Sequence, residues 1–440
     1  MENRNKTLGK VLLAIFTIMI LFFAAYQIWM NPHRGTAEEA EASLAVDDML
    51  TKEQAVEDID YILSHIESRH PACIKGLPDE VKRQGDKEKE AMGSSVSMLE
   101  LWRSISRIMA RMKDGHTSVM PYYAQTVPRL LFRCRKTGEN LICVGGEYDG
   151  SRILSIGGVR EEELYKTFLG LSSYELEGFA SVLYENRIVR KDYLRFLGAD
   201  VSEDTAVVLE TPAGQVEKTL RFENKNINPQ DTEPFVSYHV YEEKNTAVLT
   251  LKECIYDETY ANTLREFFTE VKQQKIENIA VDVRDNGGGN SKVINEFLRY
   301  INVDNYYVYG DVDVRYGPFL ITDKKEKIAN ERGGELVFDG TIYILTSSGT
   351  FSAATDFAVA IADNKLGYVV GEVSGGMPSS YGDLLQFQTP NAKLMFTVSY
   401  KYFHRPDSGN DKKPLEPDYP VEAEEALQKV YELARRSGQE

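Results

Sequence analysis

The second half of the chain alternates buried strands with helices, and this alternation restricts its fold more than any other feature. From residue 236 onward, the predicted buried strands Asn278–Arg284 and Thr341–Thr346, each with an apolar centre, lead through a polar turn into a helix. Continuous apolar runs are typical of strands covered on both faces, and strands separated by helices form layered α/β domains. The sequence therefore predicts an α/β layered core over residues 236–440, with a closing hairpin at Leu384–Gln388 and Leu394–Tyr400.

Both strands end in turns whose residues suit catalysis. Gly287, Gly288 and Gly289 follow the first strand, and glycines let the backbone approach a ligand closely and aim N–H groups at negative charge. Ser352 follows the second strand and opens a helix, where free N–H groups and the helix dipole stabilise an oxyanion. Taken singly, the serine is more often a simple N-cap, and the glycines can merely permit positive φ. Together, the two turns indicate a nucleophile that faces half of an oxyanion hole.

A nucleophilic serine needs a base, and His116 is the best candidate among six histidines. It lies in the polar turn Lys113–Thr117, directly after a predicted helix. The alternative for a lone histidine is a hydrogen-bonded structural role. The cysteines show neither a CxxC pair nor a spacing typical of zinc sites, and no metal or organic cofactor is implied.

Four motifs, in this order along the chain, resemble those of the tail-specific (C-terminal processing) serine peptidase family. They are the histidine motif Lys113–Thr117, the strand-and-glycine motif Ile279–Gly289, the nucleophile segment Phe351–Ala354 with the strand Val369–Glu372 after it, and the closing motif Glu416–Val421. The resemblance covers roughly residues 51–425. It implies a crotonase-like catalytic core and a serine peptidase that cleaves polypeptides through an acyl-enzyme, with Ser352 as the nucleophile.

The sequence departs from the branch of this family that uses a Ser-Lys dyad. Met377 stands where that branch would place its lysine, and no lysine occurs between Lys365 and Lys393. The chain therefore resembles the other branch, that of tricorn protease and the retinoid-binding repeats, in which a histidine serves as the base. This resemblance implies His116 for that role.

The same resemblance implies the oxyanion donors and a third catalytic residue. The donors would be the backbone N–H groups of Gly288 and Ala353. The third residue aligns with Asp411, where the branch has a glutamate, and Asp407 and Asp114 remain alternatives. A non-catalytic module that binds an apolar ligand or a peptide is the rival to catalysis, because the retinoid-binding relatives hold apolar ligands and fold does not dictate function. Esterase activity by the same residues is a third hypothesis.

The segment Val11–Met30 is nearly unbroken apolar sequence and is predicted to be a transmembrane helix. About 20 helical residues span the hydrocarbon core of a bilayer. Arg4, Lys6 and Lys10 precede the segment and favour a cytoplasmic amino terminus, so a single-pass protein of the cell membrane with an extracytoplasmic catalytic domain is expected. A cleaved signal peptide is the alternative, although its apolar region is usually shorter. The expected arrangement is a cytoplasmic tail over residues 1–10, the anchor over 11–30 and a tether over 31–50.

Two further regions are predicted between the tether and the core. Residues 51–125 show helical periodicity, and residues 126–235 contain short β-like runs broken by Gly, Asp and Pro, which indicates a small mixed β domain. Arg152–Val159 resembles the second half of a PDZ domain, so this domain is expected to be PDZ-like. Cys134 and Cys143 flank a hairpin turn, where a disulfide and two buried thiols are the alternatives. The formal net charge of −17 argues against a nucleic-acid partner.

Overall fold

The computed structural model describes residues 2–37, 39–123, 125–224 and 233–437. Short parts of the predicted tail, tether, helical region, middle domain and core therefore lie outside the described residues. The α-helices are α1 Glu2–Ala25, α2 Lys52–Arg69, α3 Asp79–Ala91, α4 Met98–Met109, α5 Glu161–Leu171, α6 Glu177–Arg187, α7 Lys191–Leu197, α8 Glu258–Gln273, α9 Lys292–Leu298, α10 Ala353–Asp363 and α11 Ala426–Ser437. The strands are β1 Met49–Thr51, β2 Ser95–Ser97, β3 Val119–Pro121, β4 Arg133–Thr137, β5 Asn140–Val144, β6 Arg152–Ile156, β7 Val159–Arg160, β8 Asp204–Thr211, β9 Gly214–Arg221, β10 Val236–Tyr241, β11 Thr246–Leu251, β12 Asn278–Asp282, β13 Asn305–Tyr306, β14 Val312–Tyr316, β15 Phe319–Asp323, β16 Ile328–Ala329, β17 Thr341–Thr346, β18 Gly367–Gly371, β19 Ser380–Gln388, β20 Leu394–Phe403 and β21 Tyr419–Pro420.

The amino-terminal helix α1 does not meet the expectation of a transmembrane anchor. It starts within the polar tail and ends at Ala25, and a π-helical turn, Tyr26–Met30, contains the remainder of the apolar run. Within the described ranges, no helix combines the length and the apolar character needed to cross a bilayer. The structure therefore does not support the transmembrane helix predicted over residues 11–30.

The first helix of the helical region that follows begins at a capping box. The side chain of Thr51 accepts the N–H of Gln54, and the side chain of Gln54 accepts the N–H of Thr51, which together form the capping box that starts α2. Ser97 caps α4 by accepting the N–H of Glu100. The apolar faces of α2 and α4 are buried in one hydrophobic cluster, which also contains the fully buried Trp102.

A six-stranded sheet forms the predicted α/β layered core. Its strand order is β10-β11-β12-β17-β18-β21, with β10 antiparallel to β11 and all other pairs parallel. Helices α8, α9 and α10 pack on one face, and α11 packs on the other. Every residue of β12 is buried, including the polar Asn278 and Asp282 at its ends, as expected for the buried strand predicted there. Because β12 and β17 are parallel neighbours, the turns at their carboxyl ends lie side by side.

The predicted closing hairpin forms, but it belongs to a second sheet. Strands β19 and β20 pair with each other, and this sheet has the order β15-β14-β20-β19, with β3 also paired to β20. Phe387 and Phe396 of the hairpin share a hydrophobic cluster with helices α2 and α4. A strand from the carboxyl-terminal half of the chain is thereby bonded to β3, which begins shortly after His116.

The middle region contains an antiparallel β sheet, with helices α5 to α7 beside it. The strand order is β4-β5-β6-β8-β9, and β7 pairs with β6. Cys134 and Cys143 lie opposite each other on β4 and β5, yet both are free and buried, so the buried-thiol alternative holds and the disulfide does not form. The likeness of Arg152–Val159 to a PDZ domain stays a prediction from sequence.

Candidate active site

Ser352 lies between β17 and α10 in a strained backbone conformation. Its φ of 54° and ψ of −129° place it in a region that residues other than glycine rarely adopt, and such strain concentrates at functional sites. Ser352 holds the N-cap position of α10, but its side chain makes no capping hydrogen bond. The simple N-cap interpretation is therefore wrong, and the hydroxyl is free to contact another group.

The glycine turn after β12 lies directly against the serine turn. The N–H of Phe351 donates to the carbonyl of Asn286 at 2.9 Å, which joins the two turns. Gly288 has a φ of 101°, and a Cβ atom there would lie 2.6 Å from the Cβ of Ser352. Only glycine therefore fits at position 288, and the glycine turn faces the serine as expected from the sequence.

The imidazole of His116 is within hydrogen-bond distance of the serine hydroxyl. Its Nε2 lies 3.0 Å from Ser352 Oγ, although 236 positions separate the two residues in the chain. The imidazole stacks on Phe351 with 4.7 Å between ring centroids, and Phe351 stacks on Phe179 at 3.9 Å. Because its side chain is only 9% exposed, the orientation of His116 is set by packing. The structure thus brings together the two predicted catalytic side chains.

Strand β20 of the second sheet holds the turn that carries His116. Thr397 Oγ1 donates to the carbonyl of His116 at 2.6 Å and accepts the N–H of Ser118 at 3.1 Å. Ser399 Oγ, two residues further along β20, donates to Asp114 Oδ2 at 2.7 Å. The position of His116 therefore depends on residues that lie about 280 positions later in the sequence.

Asp114 is a fully buried carboxylate beside His116. Its Oδ1 accepts the backbone N–H of His116 at 2.9 Å and lies 3.7 Å from Nδ1 of the same residue. Its Oδ2 contacts His70 Nε2 at 3.2 Å, Thr117 Oγ1 at 2.6 Å and Ser399 Oγ at 2.7 Å. Burial opposes the charged form, but hydrogen bonds and charges from His116 and His70 keep the pKa of Asp114 below its usual range. A fixed negative charge therefore lies next to the imidazole.

Asp411, the expected third catalytic residue, lies elsewhere. Its carboxylate accepts a hydrogen bond from Ser379 Oγ and is 3.7 Å from His404 Nδ1, and none of its contacts within the described residues is with His116. Asp407, one alternative, accepts the N–H of Gly409 in the same loop. The expected arrangement is corrected accordingly, because this loop folds against Ser379 and His404, whereas Asp114, the other alternative, lies beside His116.

The two expected oxyanion donors differ in availability. The N–H of Gly288 already donates to Asn286 Oδ1 at 2.8 Å. The N–H of Ala353 is the first of helix α10 and makes no hydrogen bond among the described residues, which is normal for a helix amino terminus. A Cβ on Gly288 would lie 3.0 Å from Ala353 N, so the glycine leaves this N–H accessible. The N–H of Ala353 is therefore available to an oxyanion. Gly288 contributes chiefly because its lack of a side chain leaves that N–H accessible.

Glu175 is a second buried carboxylate near His116, and no sequence motif points to it. Both of its carboxylate oxygens are shielded from solvent and have no hydrogen-bond partner among the described residues. Ligand atoms of Asp114, His116 and Glu175 all lie within 4.8 Å of one another, a spacing at which three such groups can hold a metal ion. Burial, reinforced by the charge of Asp114, raises the pKa of Glu175 to about 7. Glu175 lies in the segment between α5 and α6, and nothing in the sequence signals its proximity to the histidine.

The pKa of His116 reflects opposing effects. Burial disfavours the imidazolium and lowers the pKa, but the carboxylates of Asp114, Glu175 and Asp356 favour it, and the pKa lies above its ordinary value. Asp356 hydrogen-bonds Tyr309 at 3.1 Å, and burial raises its own pKa to about 7. The neutral imidazole, the form that can accept a proton, therefore prevails only at a higher pH than in an ordinary histidine.

Comparison with protein families shows which class of enzyme this site belongs to. Residues 245–421 match the family model described as Peptidase family S41. The chain carries an S41 peptidase domain. The matched range of the S41 domain contains the glycine turn and Ser352, whereas His116 and Glu175 precede it. The chain is therefore a serine-type peptidase, as the sequence predicts. Among curated proteins, no sequence matches the chain.

Solved structures resemble the chain over most of its length. Mature CPAF complexed with lactacystin is 12% identical with a TM-score of 0.66, and the match covers 88% of this chain and 97% of that one. Mature CPAF alone is 12% identical with a TM-score of 0.65, covering 88% and 96%. A photosystem II D1 C-terminal processing protease is 15% identical with a TM-score of 0.49, covering 88% and 98%. The CPAF structures show that the shared fold extends well beyond the S41 domain.

Proposed function

We propose that this S41 peptidase cleaves polypeptides through an acyl-enzyme, with Ser352 as the nucleophile and His116 as the general base. The observation that carries the proposal is the 3.0 Å distance between His116 Nε2 and Ser352 Oγ at a strained serine. The neutral Nε2 takes the hydroxyl proton while Oγ attacks the scissile carbonyl carbon. The protonated imidazole then gives this proton to the leaving amine as the peptide bond breaks. Water, deprotonated by the same Nε2, hydrolyses the ester and frees Ser352.

The charges around the site support this sequence of proton transfers. The negative oxygen that develops in the tetrahedral intermediate would be stabilised by the N–H of Ala353 at the positive end of α10. The imidazolium formed in the same step would be stabilised by Asp114, whose Oδ1 lies 3.7 Å from Nδ1. Each charge that forms during acylation therefore has an opposite charge or dipole already in place.

A cleft beside the nucleophile turn supports a polypeptide substrate. It has a volume of about 590 Å³ and lies between the middle region and the S41 domain. Gly178 lies close to Ser348, since a Cβ on this glycine would be 3.0 Å from Ser348 Oγ. The cleft is lined, among others, by Thr137, Gly178, Ser348, Glu372 and Ser374. Ser348 lines the cleft and precedes Ser352 by four positions, so a polypeptide bound in the cleft would run close to the nucleophile.

A fluorophosphonate probe, which reacts with activated serines, tests the proposal. We expect the wild-type protein and a control, Ser202→Ala, at an exposed serine outside the cleft, to be labelled and to hydrolyse an unfolded polypeptide, and Ser352→Ala to do neither. Labelling of Ser352→Ala would contradict the assignment of the nucleophile. The absence of both labelling and turnover in the wild type would favour the binding module, and turnover of esters alone would favour an esterase.

We also propose, from the sequence, that the protein is attached to the cell membrane through α1, with the catalytic domain outside the cytoplasm. The basic residues before Val11 support this proposal, as do the exposed apolar side chains from Val11 to Phe23. We expect alkaline carbonate to leave the full-length chain in the membrane fraction. Recovery of a soluble form that starts after Ala25 would show instead that the segment is a cleaved signal.

A further inference from the structure

Three side chains beside the catalytic pair have the spacing of a metal site. Ligand atoms of Asp114, His116 and Glu175 all lie within 4.8 Å of one another. Two of these groups lack a hydrogen-bond partner among the described residues, namely Nδ1 of His116 and both carboxylate oxygens of Glu175, and all three atoms are shielded from solvent. Buried polar groups are nearly always paired with protein, water or an ion. An unpaired imidazole nitrogen beside an unpaired carboxylate therefore points to a bound ligand.

The charges of the two carboxylates favour a cation as that ligand. Hydrogen bonds and charges from His116 and His70 keep the pKa of Asp114 below its usual range, so this group is ionised. Burial and the charge of Asp114 raise the pKa of Glu175 to about 7. No lysine or arginine in the described ranges forms an ion pair with either carboxylate. A divalent cation between the two acids would relieve their repulsion and favour the charged form of Glu175.

The donor atoms and their spacing suit Zn²⁺. Zinc binds imidazole nitrogen and carboxylate oxygen at about 2.0 to 2.2 Å, which places neighbouring ligand atoms of a tetrahedral site about 3.3 to 3.6 Å apart. Asp114 Oδ1 and His116 Nδ1 are 3.7 Å apart, close to this separation. The carboxylate of Glu175 has no hydrogen bond to lose and needs a shift of about 1 to 1.5 Å to become the third ligand. A water would take the fourth position.

Hydrogen bonds around Asp114 hold its carboxylate in the orientation that a metal ligand needs. Oδ2 accepts the hydroxyl groups of Thr117 at 2.6 Å and Ser399 at 2.7 Å. Oδ1 accepts only the backbone N–H of His116, so it keeps a lone pair for an ion. Carboxylates that bind metals are typically fixed by such outer hydrogen bonds. Asp114 is therefore oriented with Oδ1 beside Nδ1.

The segment that carries Glu175 is bound to the turn of Asp114. Ser173 Oγ accepts the N–H of Asp114 at 2.9 Å and donates to its carbonyl at 2.7 Å. Gly115 leaves room for the third carboxylate oxygen pair, because a Cβ there would lie 2.8 Å from Glu175 Oε2. These contacts keep Glu175 at the site while its oxygens have no other partner.

We propose that Asp114, His116 and Glu175 form a binding site for Zn²⁺ and that the bound ion inhibits the peptidase. The ion would take the lone pair of Nδ1, so the hydrogen of the neutral imidazole would lie on Nε2. Nε2–H can donate to Ser352 Oγ, 3.0 Å away, but it cannot accept the serine proton. The inhibition rests on the proposed function, because it requires His116 to be the base, whereas the binding of the ion does not.

A second group of acids at metal-ligand spacing, Glu372, Glu422 and Glu424, provides a control. Glu422 and Glu424 are exposed. The oxygens of Glu372 accept hydrogen bonds from Ser348 and from the N–H of Ala423. This group contains no imidazole and no unpaired buried atom, so its removal should leave tight Zn²⁺ binding in place.

Calorimetric titration of the full chain with Zn²⁺ tests the site. Ser352→Ala serves as the parent, because it keeps all three ligands and lacks the proposed nucleophile. In this background, Glu175→Gln and His116→Ala should each weaken Zn²⁺ binding by about 100-fold or more, since each removes a ligand. Glu424→Gln should bind Zn²⁺ as the parent does. Mg²⁺ should not compete, because it prefers six oxygen ligands in octahedral geometry.

Activity of the protein with Ser352 intact is the second readout. Zn²⁺ should inhibit both the hydrolysis of an unfolded polypeptide and fluorophosphonate labelling, EDTA should restore both, and Mg²⁺ should have no effect. Glu175→Gln should require about 100-fold more Zn²⁺ for the same fractional inhibition. Circular dichroism verifies that each variant is folded, and His116→Ala carries the binding comparison by itself if Glu175→Gln does not fold.

Three outcomes would overturn the inference. Equal Zn²⁺ affinity of the parent and of both ligand variants would remove the site and leave a bridging water as the partner of the unpaired groups. Binding that depends on Glu175 but does not slow labelling would refute the inhibition, as would activity that EDTA abolishes and Zn²⁺ restores. A wild-type protein with neither turnover nor labelling would defeat the proposed function, and the calorimetry would still decide whether the metal site exists.

Discussion

The turn of Ser352 and the turn of His116 reach the same site by different routes. The serine turn follows β17, whose parallel pairing with β12 brings it against the glycine turn, so elements of one sheet determine its position. The histidine turn is held by Thr397 and Ser399 of β20 and by Ser173 of the middle region. The position of Ser352 is thus set by one layered core. The position of His116 instead depends on contacts with segments that are distant in sequence.

Because of this difference, mutations around Ser352 and mutations around His116 should change the activity in different ways. Changes to the serine turn act through direct steric and chemical effects at the reacting atom. Changes around the histidine turn act through the position and the charge of the imidazole, so they should be graded and dependent on pH.

The largest effect is expected from removal of either member of the pair. Ser352→Ala and His116→Ala should each lower kcat/KM for an unfolded polypeptide by about 10⁴- to 10⁶-fold, because each deletes an atom that takes part in proton transfer. The double variant should be little worse than either single one, since the two side chains act as a unit. His239→Ala, at an exposed histidine on β10, is the control. Additive losses would show that the two residues act separately.

Gly288→Ala should damage the serine turn almost as severely. The added methyl group would lie 2.6 Å from Ser352 Cβ and 2.8 Å from the carbonyl oxygen of Phe351, and the φ of 101° disfavours alanine. We expect the rate of fluorophosphonate labelling to fall by about 100-fold or more. Gly287→Ala is a matched control, because a Cβ there meets no atom within 4 Å. Similar rates for the two variants would contradict the close approach at Gly288.

Thr397→Val should weaken the histidine turn by a smaller factor. It removes the hydroxyl that donates to the carbonyl of His116 and accepts the N–H of Ser118, and it leaves both groups without this partner. We expect kcat to fall by about tenfold as the imidazole loses its support, with the serine turn itself unchanged. Thr397→Ser, which keeps the hydroxyl, should stay near the wild type. An unchanged kcat for Thr397→Val would show that β20 does not position the base.

The acid limb of kcat/KM should lie above pH 6.5. The ordinary histidine pKa is about 6.5, and the carboxylates of Asp114, Glu175 and Asp356 raise that of His116 despite burial. Because the protonated imidazole cannot accept the serine proton, activity should fall as the pH drops through this raised pKa. Rates measured from pH 5 to 9, with circular dichroism to verify folding, provide the test. A limb centred clearly below pH 6.5 would mean that burial outweighs the carboxylates.

The smallest effect is expected from Asp411→Asn. The carboxylate of Asp411 contacts Ser379 and His404 in a loop, so its loss should change kcat/KM by no more than about twofold. Asp114→Asn, which alters the charge beside His116, should cost considerably more. Equal losses for the two variants would restore Asp411 as a member of the catalytic group.

The α/β layers and the turns that carry the nucleophile can be predicted from the amino-acid sequence alone. The short segment Asn278–Asp282, with its apolar centre and the glycine turn after it, favours a covered strand, and turns that follow parallel neighbouring strands lie at one edge of the sheet. The capping box of Thr51 and Gln54 likewise follows from a pattern four residues long. These features are predictable because the interactions that produce them are local or repeat along the chain.

Only the tertiary structure decided which carboxylates face His116 and which sheet receives the β19–β20 hairpin. Asp114 and Glu175 adjoin the imidazole, whereas Asp411 does not, because the loops fold to satisfy partners such as Ser173, Ser379 and Ser399. The hairpin pairs with β3 and β14 because its apolar face is buried against α2 and α4. Such contacts join segments more than 300 residues apart, as between Asn391 of the hairpin and Asp58 of α2, which are 333 positions apart, and no local pattern specifies them.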